Sequence, residues 1–210
     1  MKKTLLILTL IAVLVISLAS CGEDKVLNGD EALAAAPELL TEALDLYEIL
    51  YGSGIPYNAM GEKTGKYYPA DEGYLDASKF KNISELKSYI STVFSDGYSA
   101  VIVASTLTGG VAEDGAYYAR YIDSEGEIYG EAKGTGTLLV YSEYTPMLEG
   151  RREYDMSTLE IVEATAEKVT LSVMIRVFLD GGDEVSVMED VIDVDFVLED
   201  DGWRIDSPAY

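Results

Sequence analysis

Histidine is absent from this chain of 210 residues, and cysteine occurs only once. Without an imidazole there is no Ser-His-Asp triad, no Cys-His catalytic pair and no histidine ligand for zinc. Basic residues are also scarce, since 15 Lys and Arg stand against 38 Asp and Glu, and the formal net charge is -23. A charge of this sign repels phosphate backbones, so we expect no binding to nucleic acid.

The apolar content is ordinary despite this acidity. Hydrophobic residues make up 48% of the chain, which is normal for a globular protein and argues against wholesale disorder. The length suits one domain with a proper core and an additional segment at one end.

The additional segment lies at the N-terminus. Lys2 and Lys3 precede an apolar run from Leu5 to Ala19, which is too short to cross a bilayer comfortably and fits the hydrophobic region of a secretory signal. Leu18-Ala19-Ser20-Cys21 follows and resembles the bacterial lipobox. The resemblance implies that residues 1–20 are removed and that the thiol of Cys21 receives a diacylglycerol. The alternative is a buried N-terminal helix with an incidental cysteine.

An acylated Cys21 predicts where the mature protein lies. Two acyl chains form a stable anchor, so we expect the protein on the extracytoplasmic side of the cell membrane. With its only thiol acylated the chain forms no disulfide, and its core alone must hold the fold. Residues 21–36 are predicted to be a tether and residues 37–210 a single domain, which we expect to be a monomer.

Helices come first in the predicted domain. Pro37 is placed at the start of a helix that ends near Gly52, and Ser84 is predicted to cap a second helix. A third helix is predicted over residues 98–107, although its Val-Ile-Val run is also compatible with a strand. The apolar stripe of the second helix consists of Leu86, Tyr89, Ile90 and Val93.

Beyond Gly110 the apolar period changes from helical spacing to two. The strands are predicted over residues 117–122, 128–130, 138–144, 158–165, 169–179 and 185–198, and over a closing strand that begins after Asp201-Gly202. Trp203 and Ile205 are expected to face inward. The fold class is therefore α+β, with N-terminal helices packed on a curved antiparallel sheet.

One strand changes phase along its length. Val185 and Val187 occupy odd positions, whereas Ile192, Val194 and Phe196 occupy even ones. This shift predicts a β-bulge near Glu189 and Asp190 that absorbs one residue.

Four stretches carry a resemblance to a known family: residues 76–95, Glu125-Gly-Glu-Ile-Tyr129, the hairpin from Leu159 to Phe178, and Asp201-Gly-Trp-Arg-Ile-Asp-Ser-Pro208. In this order and spacing they resemble the DL-endopeptidase inhibitor family (IseA-type) of Gram-positive bacteria. The resemblance implies a small α+β domain that binds and blocks cell-wall hydrolases without catalysis. Typical members are secreted in soluble form, so a lipid anchor is a departure. The order of elements and the closing Gly-Trp-Arg-Ile strand are also similar to nuclear transport factor 2, which implies a small-ligand pocket.

Carboxylates are the candidate catalytic and metal-binding groups of this chain. Asp193 and Asp195 lie on one strand face at the separation of a glycosidase pair, but the alternation places them on the solvated side. Residues 180–184 lack EF-hand spacing, although a weak calcium site there stays open. Gly134-Thr-Gly136 lacks the third glycine of a nucleotide loop. We therefore expect no enzyme activity, no cofactor and no metal.

Charge and tyrosine content indicate a partner-binding role. From Phe178 to Tyr210 there are eleven acids and one base, and the chain has 16 Tyr against 4 Phe. A solvated acidic face explains much of this, but such a field also steers a basic partner. The candidate contact residues are Asp180, Asp183, Glu184, Tyr117, Tyr121 and Tyr129.

Two functional hypotheses follow: restraint of a cell-wall DL-endopeptidase, and binding of a small ligand. A deep apolar cavity between helices and sheet favours the ligand, whereas a filled core and a protruding acidic loop favour protein inhibition.

Overall fold

The computed structural model describes residues 26–108, 110–111, 117–124, 136–147, 149–180 and 185–209. The predicted signal segment and four candidate positions, Cys21, Tyr129, Asp183 and Glu184, lie outside these ranges. Among the residues described, no helix combines the length and the apolar character needed to cross a membrane.

Helices precede most of the strands along the chain, as the sequence predicted. The helices are α1 (Gly29–Leu50), α2 (Glu72–Ala77), α3 (Ile83–Val93) and α4 (Asp96–Thr106). The strands are β1 (Tyr67–Pro69), β2 (Gly110–Val111), β3 (Tyr117–Tyr118), β4 (Tyr121–Asp123), β5 (Leu138–Tyr141), β6 (Arg151–Ala164), β7 (Val169–Asp180), β8 (Val185–Glu199) and β9 (Gly202–Ile205). They form a three-stranded sheet in the order β1-β5-β4, a β2-β3 pair and a four-stranded sheet in the order β6-β7-β8-β9. All strand pairs are antiparallel.

Helix α1 starts eight residues before the predicted position. Asn28 caps it by accepting a hydrogen bond from the Asp30 N–H, and Pro37 lies inside the helix. The prediction that residues 21–36 form a tether is therefore wrong from Gly29 onward. Ala32 and Ala36 are buried in the core, which explains why this turn belongs to the domain.

Helices α3 and α4 follow their predicted patterns with shifted ends. Asn82, rather than Ser84, caps α3, because its side chain accepts from the Glu85 N–H and donates to the Glu85 carboxylate. The apolar stripe predicted for this helix is buried, which confirms it. Ser95 caps α4, so the Val-Ile-Val run is helical rather than extended.

The predicted bulge near Glu189 and Asp190 is wrong, because β8 pairs with β7 without a break in register. The β7–β8 pairing continues without a shift from Val169↔Phe196 to Asp180↔Val185. The register shifts of this sheet lie in β6 instead, between Asp155 and Glu160 and between Ile161 and Glu163. The change of apolar phase in β8 marks a change of surroundings along a regular strand.

A single hydrophobic core joins the helices to both larger sheets. Helix α1 lies over β6, β7 and β9, and α3 packs against α1, α4, β4 and β9. The core includes Leu40, Leu86, Phe94, Val173, Phe196 and Ile205. Trp203 and Ile205 face inward as predicted, and the α+β class is confirmed.

The C-terminal residues close this core. The Ala209 N–H donates to the Tyr47 hydroxyl of α1 at 3.2 Å, and the Tyr154 hydroxyl of β6 donates to the Ala209 carbonyl. The last residues of the chain therefore connect the first helix to the sheet.

Candidate binding surface

One end of the four-stranded sheet extends beyond the helices. We call it the distal ribbon and define it as Met174–Asp180 of β7 paired with Val185–Val191 of β8. Large apolar side chains on this ribbon expose half or more of their surface: they are Val185, Val187, Met188 and Val191. Exposed apolar side chains that cluster in this way are typical of binding sites, whereas single ones need no explanation.

The exposed side chains lie on both faces of the ribbon. Val194 and Phe196 pack against the helices, so alternation turns the odd positions of β8 to the opposite, outer face. On that face Val187 lies across from Phe178, whose ring is covered by the Arg151 guanidinium at 4.3 Å. Met188 projects to the other face. Among the described residues, no helix or further strand covers this end of β8, and all its side chains from Val185 to Val191 are exposed.

The edge of β8 is also open over this stretch. Strand β9 pairs with β8 only from Phe196 to Glu199. The chain then continues beside Asp195, whose carbonyl accepts from the Asp206 N–H at 2.8 Å and whose N–H donates to the Ser207 hydroxyl at 2.9 Å. Between Val185 and Asp193 no described residue of another strand lies along this edge.

Ion pairs on the outer face hold the single base of the ribbon. The Arg176 guanidinium donates to Glu189 at 2.8 Å and to Asp155 at 3.0 Å, and these bonds raise the pKa of Arg176. Hydrogen bonds from Ser157, and secondarily the contact with Arg176, lower the pKa of the Asp155 carboxyl. Strand β8 itself contains acids but no Lys or Arg, so Asp190 and Asp193 leave its open edge negatively charged.

The predicted contact residues divide into three groups in the structure. Asp180 is the last residue of β7 within the ribbon and pairs with Val185. Tyr117 lies in β3, where it pairs with Val111, and is not part of the ribbon. Asp183, Glu184 and Tyr129 lie outside the described residues, as does most of the possible calcium loop at 180–184.

Tyr121 is a core residue, so its prediction as an exposed contact is wrong. Its side chain is 1% exposed, its hydroxyl donates to the Ile49 carbonyl at 2.5 Å, and it accepts from the Ile55 N–H at 3.1 Å. Burial raises the pKa of this phenol well above its usual range. Tyr121 joins β4 to the end of α1.

Within the Asp193–Asp195 pair, Asp195 forms an ion pair with Lys168. Asp195 accepts hydrogen bonds from Lys168 and from Thr170, both at 2.7 Å, and the first of these raises the pKa of Lys168. Asp193 is exposed on the same face. Across the described ranges no three Cys, Asp or Glu side chains come together in a way that could hold a metal ion.

A buried arginine lies beside a separate, open cleft. Arg120 is 5% exposed, donates to the Gly52 carbonyl at 2.6 Å and stacks on the Tyr144 ring at 3.8 Å. Gly54 has φ of 84°, and a Cβ there would collide with this guanidinium. The adjacent cleft of about 550 Å³ is bordered by residues of both charges: Asp45, Glu48, Arg151 and Arg152.

The valines of the ribbon are the residues that sequence reasoning missed. Their signal was present, because Val185, Val187 and Val191 share one parity that differs from that of the core residues of the same strand.

Comparison of the chain with protein-family models, curated proteins and solved structures finds no match to any of them.

Proposed function

We propose that the protein is a membrane-anchored, extracytoplasmic and non-catalytic binding protein that restrains a cell-wall DL-endopeptidase. The observation that supports this proposal is the distal ribbon, which exposes apolar side chains on both faces while the space between helices and sheet is filled. The endopeptidase is therefore bound at the surface of the protein, and blocking the enzyme's cleft inhibits it without any catalytic step.

The filled interior favours a protein partner over a small ligand. Side chains that are buried completely or nearly so, among them Leu40, Leu86, Phe94, Val173 and Phe196, occupy the region between helices and sheet. A ligand site of the kind implied by a nuclear transport factor 2-like domain is a concave, mostly apolar cavity. The cleft between α1 and the start of β6 is open, and charged residues stand beside apolar ones in its wall, which consists of Leu44, Asp45, Tyr47, Glu48, Ser53, Gly150, Arg151 and Arg152.

The shape of the ribbon suits insertion between the walls of a cleft. Antiparallel pairing with β7 holds β8 straight, and β6 supports the ribbon as far as Arg151↔Phe178. A preformed element of this kind loses little conformational entropy on binding, which favours affinity. The choice of DL-endopeptidases as partner rests on the family resemblance and on the predicted anchor at the membrane that faces the wall.

An inhibition assay tests the proposal. Purified peptidoglycan is digested by a DL-endopeptidase with increasing amounts of the full chain, and release of cleaved stem peptides is measured. We expect release to fall as the chain approaches equimolar amounts, while digestion by a muramidase is unchanged. Full endopeptidase activity in a hundredfold excess of the chain contradicts the proposal. Equal loss with the muramidase points to adsorption on the substrate and contradicts it as well.

The anchor is tested separately through its cysteine. The Cys21→Ser variant is expected to leave the detergent phase after phase partitioning and to lose labelling by a palmitate analogue, because no other thiol accepts the lipid. A variant that still incorporates the label and stays with membranes contradicts lipidation at Cys21.

A further inference from the structure

We propose that the open edge of β8, from Val185 to Asp193, binds an extended basic segment of a partner protein by strand addition. This inference rests on the proposed function in one respect, that the partner is a protein, and it adds the mode of binding and the chemistry of the bound segment.

The backbone of β8 directs hydrogen-bonding groups to its open side. The N–H and C=O of Asp195 point away from β7, since they bond Ser207 and Asp206. The uninterrupted β7–β8 register keeps this parity along the strand, so the odd residues turn their backbone groups to the open side. The residues concerned are Val185, Val187, Glu189, Val191 and Asp193.

The open edge has the length of an ordinary strand. At about 3.3 Å per residue it offers roughly 30 Å, enough for the usual strand of five to six residues. One of its donors is occupied, because the Val191 N–H donates to the Asp190 carboxylate at 2.8 Å. An incoming strand displaces this local contact and gains a ladder of backbone hydrogen bonds in return.

The opposite edge of the sheet carries features that hinder strand addition. Strand β6 has two register shifts, and the Thr165 carbonyl that follows it accepts from the Leu27 N–H at 2.7 Å. Edges that avoid pairing use such bulges, prolines or charged side chains, lysine above all. Strand β8 has no register shift, lysine or proline between Val185 and Glu199, and its charged side chains are all acidic.

Charge determines which strand fits. The edge carries Glu189, Asp190 and Asp193, of which only Glu189 pairs with a base among the described residues. An incoming strand whose lysines or arginines lie on the face of Asp190 supplies a cation for that carboxylate, and the apolar residues between them then lie on the outer face beside Val187 and Val191. A second copy of this chain is a poor occupant because it brings the same three acids to the same edge.

The first test uses a defined peptide and no enzyme. The probe is a dye-labelled eight-residue peptide that alternates lysine with valine and threonine, titrated with the full chain in nonionic detergent and followed by fluorescence anisotropy. Two further versions carry N-methyl groups at either the odd or the even peptide bonds. Because only one set of amides faces β8, we expect one methylated version to bind at least tenfold more weakly than the other. Equal binding by the two methylated versions, or binding of a glutamate-for-lysine version as tight as the lysine peptide, overturns the proposal.

The second test uses two protein variants matched in exposure. Val191 on the edge and Val101 on α4 are each 60% exposed, so Val191→Lys and Val101→Lys add the same charge to the same degree of solvation. We expect Val191→Lys to weaken the lysine peptide at least tenfold and Val101→Lys to leave it within twofold, with both variants melting like the parent. Equal effects of the two variants overturn the edge as the site. If sedimentation reveals a dimer that Val191→Lys dissociates, the occupant is a second copy and the proposal is overturned.

These tests separate the inference from the function on which it rests. Peptide binding that depends on Val191, together with an unimpaired endopeptidase, removes the proposed target and keeps the edge. Inhibition that Val191→Lys leaves unchanged, together with equal binding of the two methylated peptides, removes the edge and keeps the function.

Discussion

The same two strands have opposite surroundings at their two ends. In the covered half, Val169–Val173 pairs with Ile192–Phe196, and Val169, Val173 and Val194 are almost completely buried. In the distal ribbon, Met188 lies on the same face of an equally regular ladder and is 58% exposed. The difference lies in the layer above, because α1 and α3 cover only the first region. Apolar alternation alone therefore shows that a strand forms, and the neighbouring layer determines whether it is core or surface.

The largest expected effect comes from the closing strand of the covered half. Trp203 is 9% exposed and belongs to the core, so Trp203→Ala should lower the free energy of unfolding by about 3–5 kcal/mol. Chemical denaturation measures the change. The control is Val187→Ala, which should alter stability by no more than about 0.5 kcal/mol because the side chain is already solvated. A Trp203 variant as stable as this control shows that the indole does not support the core.

Hydrogen exchange compares the two halves without mutation. Amides of Leu171 and Val173 lie under the helices, whereas those of Val177 and Leu179 lie in the ribbon, which has fewer buried contacts. We expect exchange to be at least about a hundredfold slower in the covered half, since local opening of the ribbon exposes little apolar surface. Equal protection along β7 indicates that the whole sheet opens as one unit.

Replacing valine by threonine at one buried and one exposed position distinguishes the effect of burial on stability from the effect of strand propensity. The two side chains have similar shapes, but a hydroxyl at Val173 enters the core, and we expect a cost of about 1–3 kcal/mol. The same change at Val187 meets water and should be nearly neutral. If both variants lose equal stability in urea, the contrast between the halves is one of strand propensity rather than burial.

The smallest expected effect is a pH-dependent change in thermal stability that comes from Asp155. The pKa of Asp155 lies below its usual value of about 3.9, chiefly because Ser157 donates to the charged form. Its contribution to stability is therefore present above the unfolded pKa and is lost as the pH falls through the lowered pKa. The Asp155→Asn variant should melt slightly below the parent at pH 7, and this gap should narrow as the pH falls below about 4. A gap that is constant across this range attributes the effect of the variant to packing rather than charge.

The sequence predicted those parts of the fold that depend on local patterns. The stripes of α3, the turn at Asp201 and the inward side of Trp203 follow from periodicity and turn chemistry, and they are confirmed. The predicted start of α1 at Pro37 is wrong because proline is favoured at a first helical turn but does not require one, and Asn28 caps the helix eight residues earlier.

The binding surface was less accessible to prediction. Alternation places some tyrosines outside, but the choice of Tyr121 is wrong because its hydroxyl donates to the Ile49 carbonyl and accepts from the Ile55 N–H, and both residues are distant in sequence. The open edge of β8 depends on where β9 stops, and the apolar pattern of β8 does not contain that information.

The contacts of Ala209 have a consequence for the order in which the fold completes itself. They join α1 to the end of a chain in which Tyr47 and Ala209 are 162 residues apart. Because a polypeptide is synthesised from its N-terminus, α1 leaves the ribosome long before Ala209, and its contact with Ala209 can form only after residue 209 has been made. Closing such a loop is slow because its entropy cost precedes the gain from packing. Until Ala209 is in place, α1 lacks its hydrogen bond with this residue, and a chain truncated before Ala209 lacks it permanently.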